Sequence, residues 1–285
     1  MVLCNSHIKS SFLKKNYLSN SFQREAIYFQ RHNLFYTTSC NKKTNCWIIT
    51  VLLLSFSCYL PMLLKRFEIP VPNVLLSTKY LFVLIPVVIS LVFEIREHTL
   101  KQWVLFLFTR RLPARSILQC ALFISIGLGS SYGYAMVAGE PDLFINTYST
   151  IFSVFLNSIY LFAIALLEEM AWRGFFLKRL SMKQEKMRFI FYVGVIWGLW
   201  HIPMWSIRNL LTVQEIILYF VWTILLSFIL GMFYYRYHSV LILAFLHMIF
   251  NTCFLAPVQW NILIVLIVVP ILTGFYKLKK CNKSI

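Results

Sequence analysis

The chain has 285 residues, of which 59% are hydrophobic and 13% are charged, and its mean hydropathy is +0.71. This composition excludes a soluble domain of the same length and indicates an integral membrane protein. The formal net charge of +17 suits anionic lipid headgroups. No basic segment is accompanied by a nucleic-acid-binding fold, so we expect membrane lipids, and no nucleic acid, among the partners.

Apolar runs follow one another along the chain, and most approach the roughly 20 residues that cross a bilayer. Only helices and closed barrels satisfy their own backbone groups in lipid, and these runs are too long and too uniformly apolar for barrel strands. Each run therefore predicts a transmembrane helix. The runs are 47–64, 80–94, 116–138, 151–172, 189–207, 214–235, 239–256 and 259–276.

Positive charge is unevenly distributed over the connections between the runs. Lys and Arg concentrate in both tails and in two connections, which all lie on one side if the helices alternate. Lys65 and Arg66 are the exception. By the positive-inside rule, both termini are expected to be cytoplasmic, which agrees with an even number of helices.

Five strongly polar groups lie within or at the end of these apolar runs. Glu168 and Glu169 end the fourth run, and Arg173 follows one helical turn later; His201 and His247 lie in later runs. A charged side chain in hydrocarbon costs several kcal/mol unless it is paired or faces a polar cavity. We therefore predict an all-α polytopic membrane protein whose roughly eight helices enclose an intramembrane polar cavity, in the cytoplasmic half of the membrane.

The spacing of the polar residues predicts different tasks for them. Glu169 and Arg173 are four residues apart on one helix and can pair, whereas Glu168 points about 100° away and stays free. A carboxylate and a histidine that share a water molecule can act as a general-base hydrolase. His247 and Asn251 share a helix face and can donate to a developing oxyanion. Alternatively, Glu and His side chains can hold a divalent metal.

Each of these residues, taken alone, has a structural explanation. A histidine or an asparagine in a helical bundle more often makes an interhelical hydrogen bond than catalyses a reaction. A Glu–Arg pair is more often a structural tie or a transporter gate. Their occurrence together favours a site.

Three motifs resemble those of the CAAX protease and bacteriocin-processing (CPBP, or Abi) family of intramembrane proteases, which includes type II CAAX prenyl endopeptidases. Glu168-Glu-Met-Ala-Trp-Arg is similar to the first motif, E-E-x-x-x-R. Trp197-Gly-Leu-Trp-His resembles the second, an aromatic residue four before a histidine, although phenylalanine is commoner than tryptophan there. His247-Met-Ile-Phe-Asn resembles the third, H-x-x-x-N. The motifs occur in the family's order, and the resemblance covers roughly residues 150–256.

The resemblance implies an intramembrane endopeptidase that acts on membrane-embedded or membrane-bound peptides or proteins. It implies that Glu168 and His201 activate the attacking water. It further implies that His247 and Asn251 stabilise the oxyanion, and that Glu169 and Arg173 organise the site. It also implies a glutamate mechanism without a metal or cofactor, and the sequence contains no His-Glu-x-x-His motif. A zinc ion held by Glu168, His201 and His247 is the alternative.

Two other classes of protein remain as alternatives. A non-proteolytic bacteriocin immunity or signalling scaffold protein would keep this fold, although all six motif positions are present. An ion-coupled transporter would be expected to show inverted repeats with broken helices, which the sequence does not show.

The motifs also suggest how the chain is organised. The resemblance to bacterial members implies a multi-pass protein of the plasma membrane. We expect a basic cytoplasmic tail at 1–46 and N-terminal transmembrane helices at 47–145. A catalytic core similar to CAAX proteases is expected at 146–258, and a last transmembrane helix with a basic tail at 259–285.

Overall fold

The computed structural model describes residues 39–108, 113–140, 151–180 and 186–267, and within these ranges it contains helices and no strand. Among these residues, those up to Cys46 and those from Trp47 onward belong to separate units. The helices are α1 Ser39–Ser57, α2 Leu60–Arg66, α3 Asn73–Leu76, α4 Leu84–Arg96, α5 Leu100–Phe108, α6 Ala114–Val137, α7 Ile151–Ala171, α8 Lys186–Pro203, α9 Val213–Tyr237, α10 Val240–Cys253 and α11 Val258–Ile267. A 3₁₀ turn, Ser77–Tyr80, follows α3, π-helical turns Trp172–Leu177 and Met204–Arg208 follow α7 and α8, and Lys178–Leu180 adds a final helical turn after α7.

Several helical stretches are long and apolar enough to cross a membrane, as the predicted all-α polytopic fold requires. Within the described ranges there are five: Lys43–Arg66, Ala114–Val137, Phe155–Leu180, Lys186–Arg208 and Val213–Tyr237. The second predicted run falls in a pair of helices bent by 67°, Asn73–Tyr80 and Leu84–Arg96, which makes a sixth span if the pair crosses as one. The chain is therefore a multi-pass membrane protein.

The predicted total of eight transmembrane helices stays a prediction. The seventh run forms α10, which has 14 residues and is short for a span of about 20. The eighth run begins in α11, but its last part and both chain termini lie outside the described residues.

The helical stretch that begins with α7 continues further than the apolar run 151–172 predicted. The π-helical turn keeps apolar side chains buried beyond Arg173, and the stretch ends only at Leu180. Glu168 consequently lies 13 residues from Phe155 and 12 from Leu180, at the middle of the stretch rather than near its end.

Helix α9 is delimited by specific capping interactions. At its start, Thr212 Oγ1 accepts from the Glu215 backbone N–H, and the Glu215 carboxylate accepts from the Thr212 backbone N–H. This reciprocal arrangement satisfies two backbone donors that have no partner within the helix. At its end, His238 adopts a left-handed conformation with φ +49°, and Ser239 caps α10. The two-residue connection makes α9 and α10 direct neighbours.

Helices α8 and α9 approach each other closely at small residues. A Cβ atom on Gly194 would lie 2.9 Å from Ser227 Cβ, and one on Gly231 would lie 2.5 Å from Ile190 Cγ1. Real Cβ atoms do not approach so closely, so a larger residue at position 194 would displace Ser227, and one at position 231 would displace the buried Ile190 side chain. Small residues at helix contacts are typical of membrane proteins, because they let backbones approach.

Aromatic side chains position the elements around the polar residues. Trp47 of α1 stacks on Phe176 of the π-helical turn, with ring centroids 5.0 Å apart. Trp200 of α8 stacks on Phe82 at 3.9 Å, and its indole N–H donates to Ser55 Oγ at 2.8 Å. These contacts join α1, the end of α7 and α8 into one core.

Candidate active site

The first motif lies where α7 changes from α-helical to π-helical geometry. Glu168 and Glu169 belong to its last α-helical turn, and Arg173 belongs to the π-helical turn, whose six residues are all buried. Single π-helical turns inside helices occur frequently at functional sites. Here the turn is held from outside by Trp103 of α5, whose indole N–H donates to the Gly174 carbonyl at 3.1 Å.

Glu169 lies at the centre of a buried ion cluster. Its Oε1 accepts from Arg173 Nη1 at 2.8 Å and lies 3.0 Å from His247 Nδ1. The side chains of Glu169 and Arg173 are both 0% exposed. A carboxylate oxygen paired with a guanidinium is an acceptor, so His247 Nδ1 is the donor. The predicted pair thus extends to a third residue, on α10.

Glu168 occupies a different environment from its neighbour. Its Oε2 accepts from Trp197 Nε1 at 3.0 Å, and within the described part of the chain no hydrogen bond reaches its Oε1. Glu168 keeps 6% of its surface exposed, whereas Glu169 keeps none. One carboxylate is therefore enclosed by Arg173 and His247, and the other retains a free oxygen.

His201 is oriented by its own helix. Its Nδ1 lies 2.8 Å from the Trp197 carbonyl oxygen. A carbonyl oxygen only accepts, so Nδ1 carries the proton and, in the neutral ring, Nε2 has the lone pair. The ring stacks on Trp205 with centroids 5.2 Å apart and planes 12° apart. His201 is only half-buried, and none of the described residues makes a hydrogen bond with its Nε2.

Trp197 contacts residues of all three motifs. Besides its hydrogen bond to Glu168, its ring lies 4.4 Å below the Arg173 guanidinium carbon. The rings of His201 and His247 lie edge-on to it, with centroids 5.4 and 5.2 Å away. The structure therefore brings five of the six predicted site residues into one cluster, in which Glu169 joins through Arg173 and His247. In the sequence, Trp197 marks only the second motif, although its indole N–H is a donor that the commoner phenylalanine lacks.

Asn251 is placed differently from the other predicted residues. It lies one turn after His247 on α10 but is exposed. Among the described residues, none makes a hydrogen bond with its side chain. The predicted joint action of His247 and Asn251 at one point therefore stays a prediction.

The alternative metal site is not preformed. Within the described ranges, no three His, Cys, Asp or Glu side chains are arranged to hold a metal ion. Glu168, His201 and His247 are therefore not arranged as a metal site. In addition, His247 Nδ1 makes a hydrogen bond with Glu169.

A second ion cluster, which sequence analysis did not identify, lies at the end of the α7 stretch. Arg179 donates to Glu97 Oε2 at 2.7 Å and to Glu94 Oε1 at 3.2 Å, and its guanidinium lies over the Phe175 ring. The contacts tie this stretch to α4 and the residues that follow it. In the sequence, Arg179 indicated only the boundary of an apolar run. Its partners Glu94 and Glu97 could not be recognised there, because they lie more than 80 residues away along the chain.

Comparison with protein families supports the family expected from the motifs. Residues 149–253 match the family described as type II CAAX prenyl endopeptidase Rce1-like, and this segment contains all six predicted site residues. The family implies a membrane protease, a hydrolase with membrane-associated substrates. A comparison with curated proteins gives no match.

Proposed function

We propose, on the premise that the chain belongs to the CAAX protease family, that it is an intramembrane endopeptidase of the glutamic type. It hydrolyses peptide bonds of membrane-associated peptides or proteins with a water molecule activated by Glu168 and His201. The observation that carries the proposal is the unequal environment of two adjacent glutamates. Glu169 is enclosed by Arg173 and His247, whereas Glu168 has one oxygen held by Trp197 and the other free.

Water activation uses the acceptors that the site leaves available. Glu168 Oε1 takes a proton from water, and the lone pair on His201 Nε2 orients the same water. The water oxygen bonds to the peptide carbonyl carbon, and the carbonyl oxygen becomes an oxyanion. The C–N bond then breaks as Glu168 returns the proton to the leaving nitrogen.

Oxyanion stabilisation is the proposed task of His247 and Asn251. Nδ1 of His247 donates to Glu169, so Nε2 is the ring nitrogen left for the oxyanion, to which it donates when both ring nitrogens carry a proton. The Asn251 amide is exposed and is free to donate once a substrate is bound. Electrostatic stabilisation of this kind typically contributes a factor of about 10² to 10³ per donor.

We further propose that the protein lies in the plasma membrane with both termini cytoplasmic. The basic segments on either side of the predicted spans support this orientation. Glu169 and Arg173 organise the site by holding α7 against α10 through His247.

The proposed activity is tested with purified protein in lipid vesicles and fluorogenic peptides. One peptide ends in a farnesylated C-a-a-X sequence, and its control lacks only the farnesyl group. We expect cleavage of the farnesylated peptide, since the matching family consists of prenyl endopeptidases, and slower cleavage of the control. In parallel, mass spectrometry compares membrane peptides from cells with the wild-type protein and with Glu168→Gln. No cleavage and identical peptide populations would favour the scaffold alternative.

Metal independence is a second expected result. If Glu168 and His201 activate water directly, strong chelators should leave the rate within about two-fold of its starting value, and the purified protein should hold much less than one zinc per chain. A zinc protease in the same vesicles serves as the control that the chelator is effective. Stoichiometric zinc together with chelator inactivation contradicts the metal-free mechanism, but leaves the protease assignment intact.

A further inference from the structure

We infer that Trp197 is a positioning residue whose indole N–H fixes the carboxylate of Glu168 for water activation. The inference rests on the proposed function. It starts from the hydrogen bond between Trp197 Nε1 and Glu168 Oε2, at 3.0 Å between two buried side chains. A carboxylate that is free to rotate about its last bond presents either oxygen, and in several directions. The indole holds Oε2, so that Oε1 is the oxygen left for water.

The indole can perform this task because its own position is fixed on several sides. Trp197 is 2% exposed. The Arg173 guanidinium carbon lies over one face of the Trp197 ring, 4.4 Å from its centroid. The His247 ring lies perpendicular to the Trp197 ring, with centroids 5.2 Å apart. A cation over the face of a tryptophan ring is attracted by about 0.5 to 2 kcal/mol. Arg173 itself is anchored by Glu169, so the enclosed ion pair also orients the indole.

The same residue also orients the second water ligand. The Trp197 backbone carbonyl accepts from His201 Nδ1 at 2.8 Å, which leaves the lone pair of the neutral ring at Nε2. The side chain of one residue thus fixes Glu168, and its backbone fixes His201. One residue of α8 therefore sets the positions of both groups that are proposed to contact the water.

The test separates the N–H donor from the aromatic ring. Trp197→Phe keeps an aromatic side chain and removes the donor, and a second variant carries at position 197 a tryptophan isostere with sulfur in place of the indole N–H. We expect both to lower kcat by about 10- to 100-fold, because the reacting groups are misplaced by a fraction of an ångström to one ångström. KM for the farnesylated peptide should stay within about two-fold, since the indole is not proposed to contact substrate.

Trp47→Phe is the matched control. Trp47 is also fully buried, and its indole N–H donates to Ser90 Oγ at 3.1 Å. It should lose a similar amount of thermal stability but keep its kcat per folded molecule. The inference is overturned if the isostere variant retains wild-type kcat, or if Trp197→Phe loses no more kcat than Trp47→Phe. Failure of the wild-type protein to cleave any peptide would instead refute the proposed function, and the inference with it.

Discussion

Glu168→Gln is expected to lower peptide cleavage by about 10²- to 10⁴-fold, the usual contribution of a general base. Glutamine keeps the shape of the side chain, and its amide oxygen can still accept from the Trp197 indole. It cannot take a proton from water at neutral pH. Because the hydrogen bond to Trp197 survives, we expect the amount of folded protein to remain close to wild type.

The measurement is the initial rate with the fluorogenic peptide, divided by the amount of monodisperse protein after size-exclusion chromatography. Glu68→Gln, which removes a carboxylate from an exposed loop position, should leave the rate unchanged. Retention of most activity in Glu168→Gln would show that another group activates the water.

Arg173→Met is expected to destabilise the protein by about 3 to 5 kcal/mol, because it leaves the Glu169 carboxylate buried without its cationic partner. Methionine retains much of the volume of the arginine stem, so the loss is chiefly electrostatic. Activity should fall as well, since the Trp197 ring loses the guanidinium that lies over it. Glu169, which accepts from His247, also loses the donor that holds its carboxylate.

The double variant Glu169→Gln with Arg173→Met makes this prediction specific. Replacing both members of a buried ion pair by neutral groups is often close to neutral for stability. We therefore expect the double variant to be more stable than either single variant, as measured by thermal unfolding in detergent. Arg96→Met, at an exposed position in the last turn of α4, is the control and should change stability little. A double variant as unstable as the sum of its parts contradicts the ion-pair interpretation.

The residues that could be predicted from the sequence are those whose relations are local along a helix. The pairing of Glu169 with Arg173 follows from their spacing of four residues, and the structure contains that pair. The long apolar helices follow in the same way from composition, since lipid leaves few alternatives.

Relations between helices could not be predicted in the same way. The contact of His247 with Glu169 joins residues 78 positions apart and depends on how α10 packs against α7. The role of Trp197 depends on an indole N–H direction that only the packed structure defines. Asn251 illustrates the limit, because the helix face that it shares with His247 did not indicate that His247 is buried and Asn251 exposed.

The close contact of α8 with α9 has a consequence for how the site tolerates different membranes. Helix α8 carries Trp197 and His201, and α9 leads through two residues into α10, which carries His247. In hydrocarbon, an acyl chain can replace a leucine at a helix surface at almost no cost, because both are equally apolar. It cannot enter at Gly194 and Gly231, where Ser227 and the Ile190 side chain respectively occupy the space beside each glycine. The spacing of the two histidines is thus set by a contact for which lipid is not a competitor, through a helix that contributes no side chain to the site.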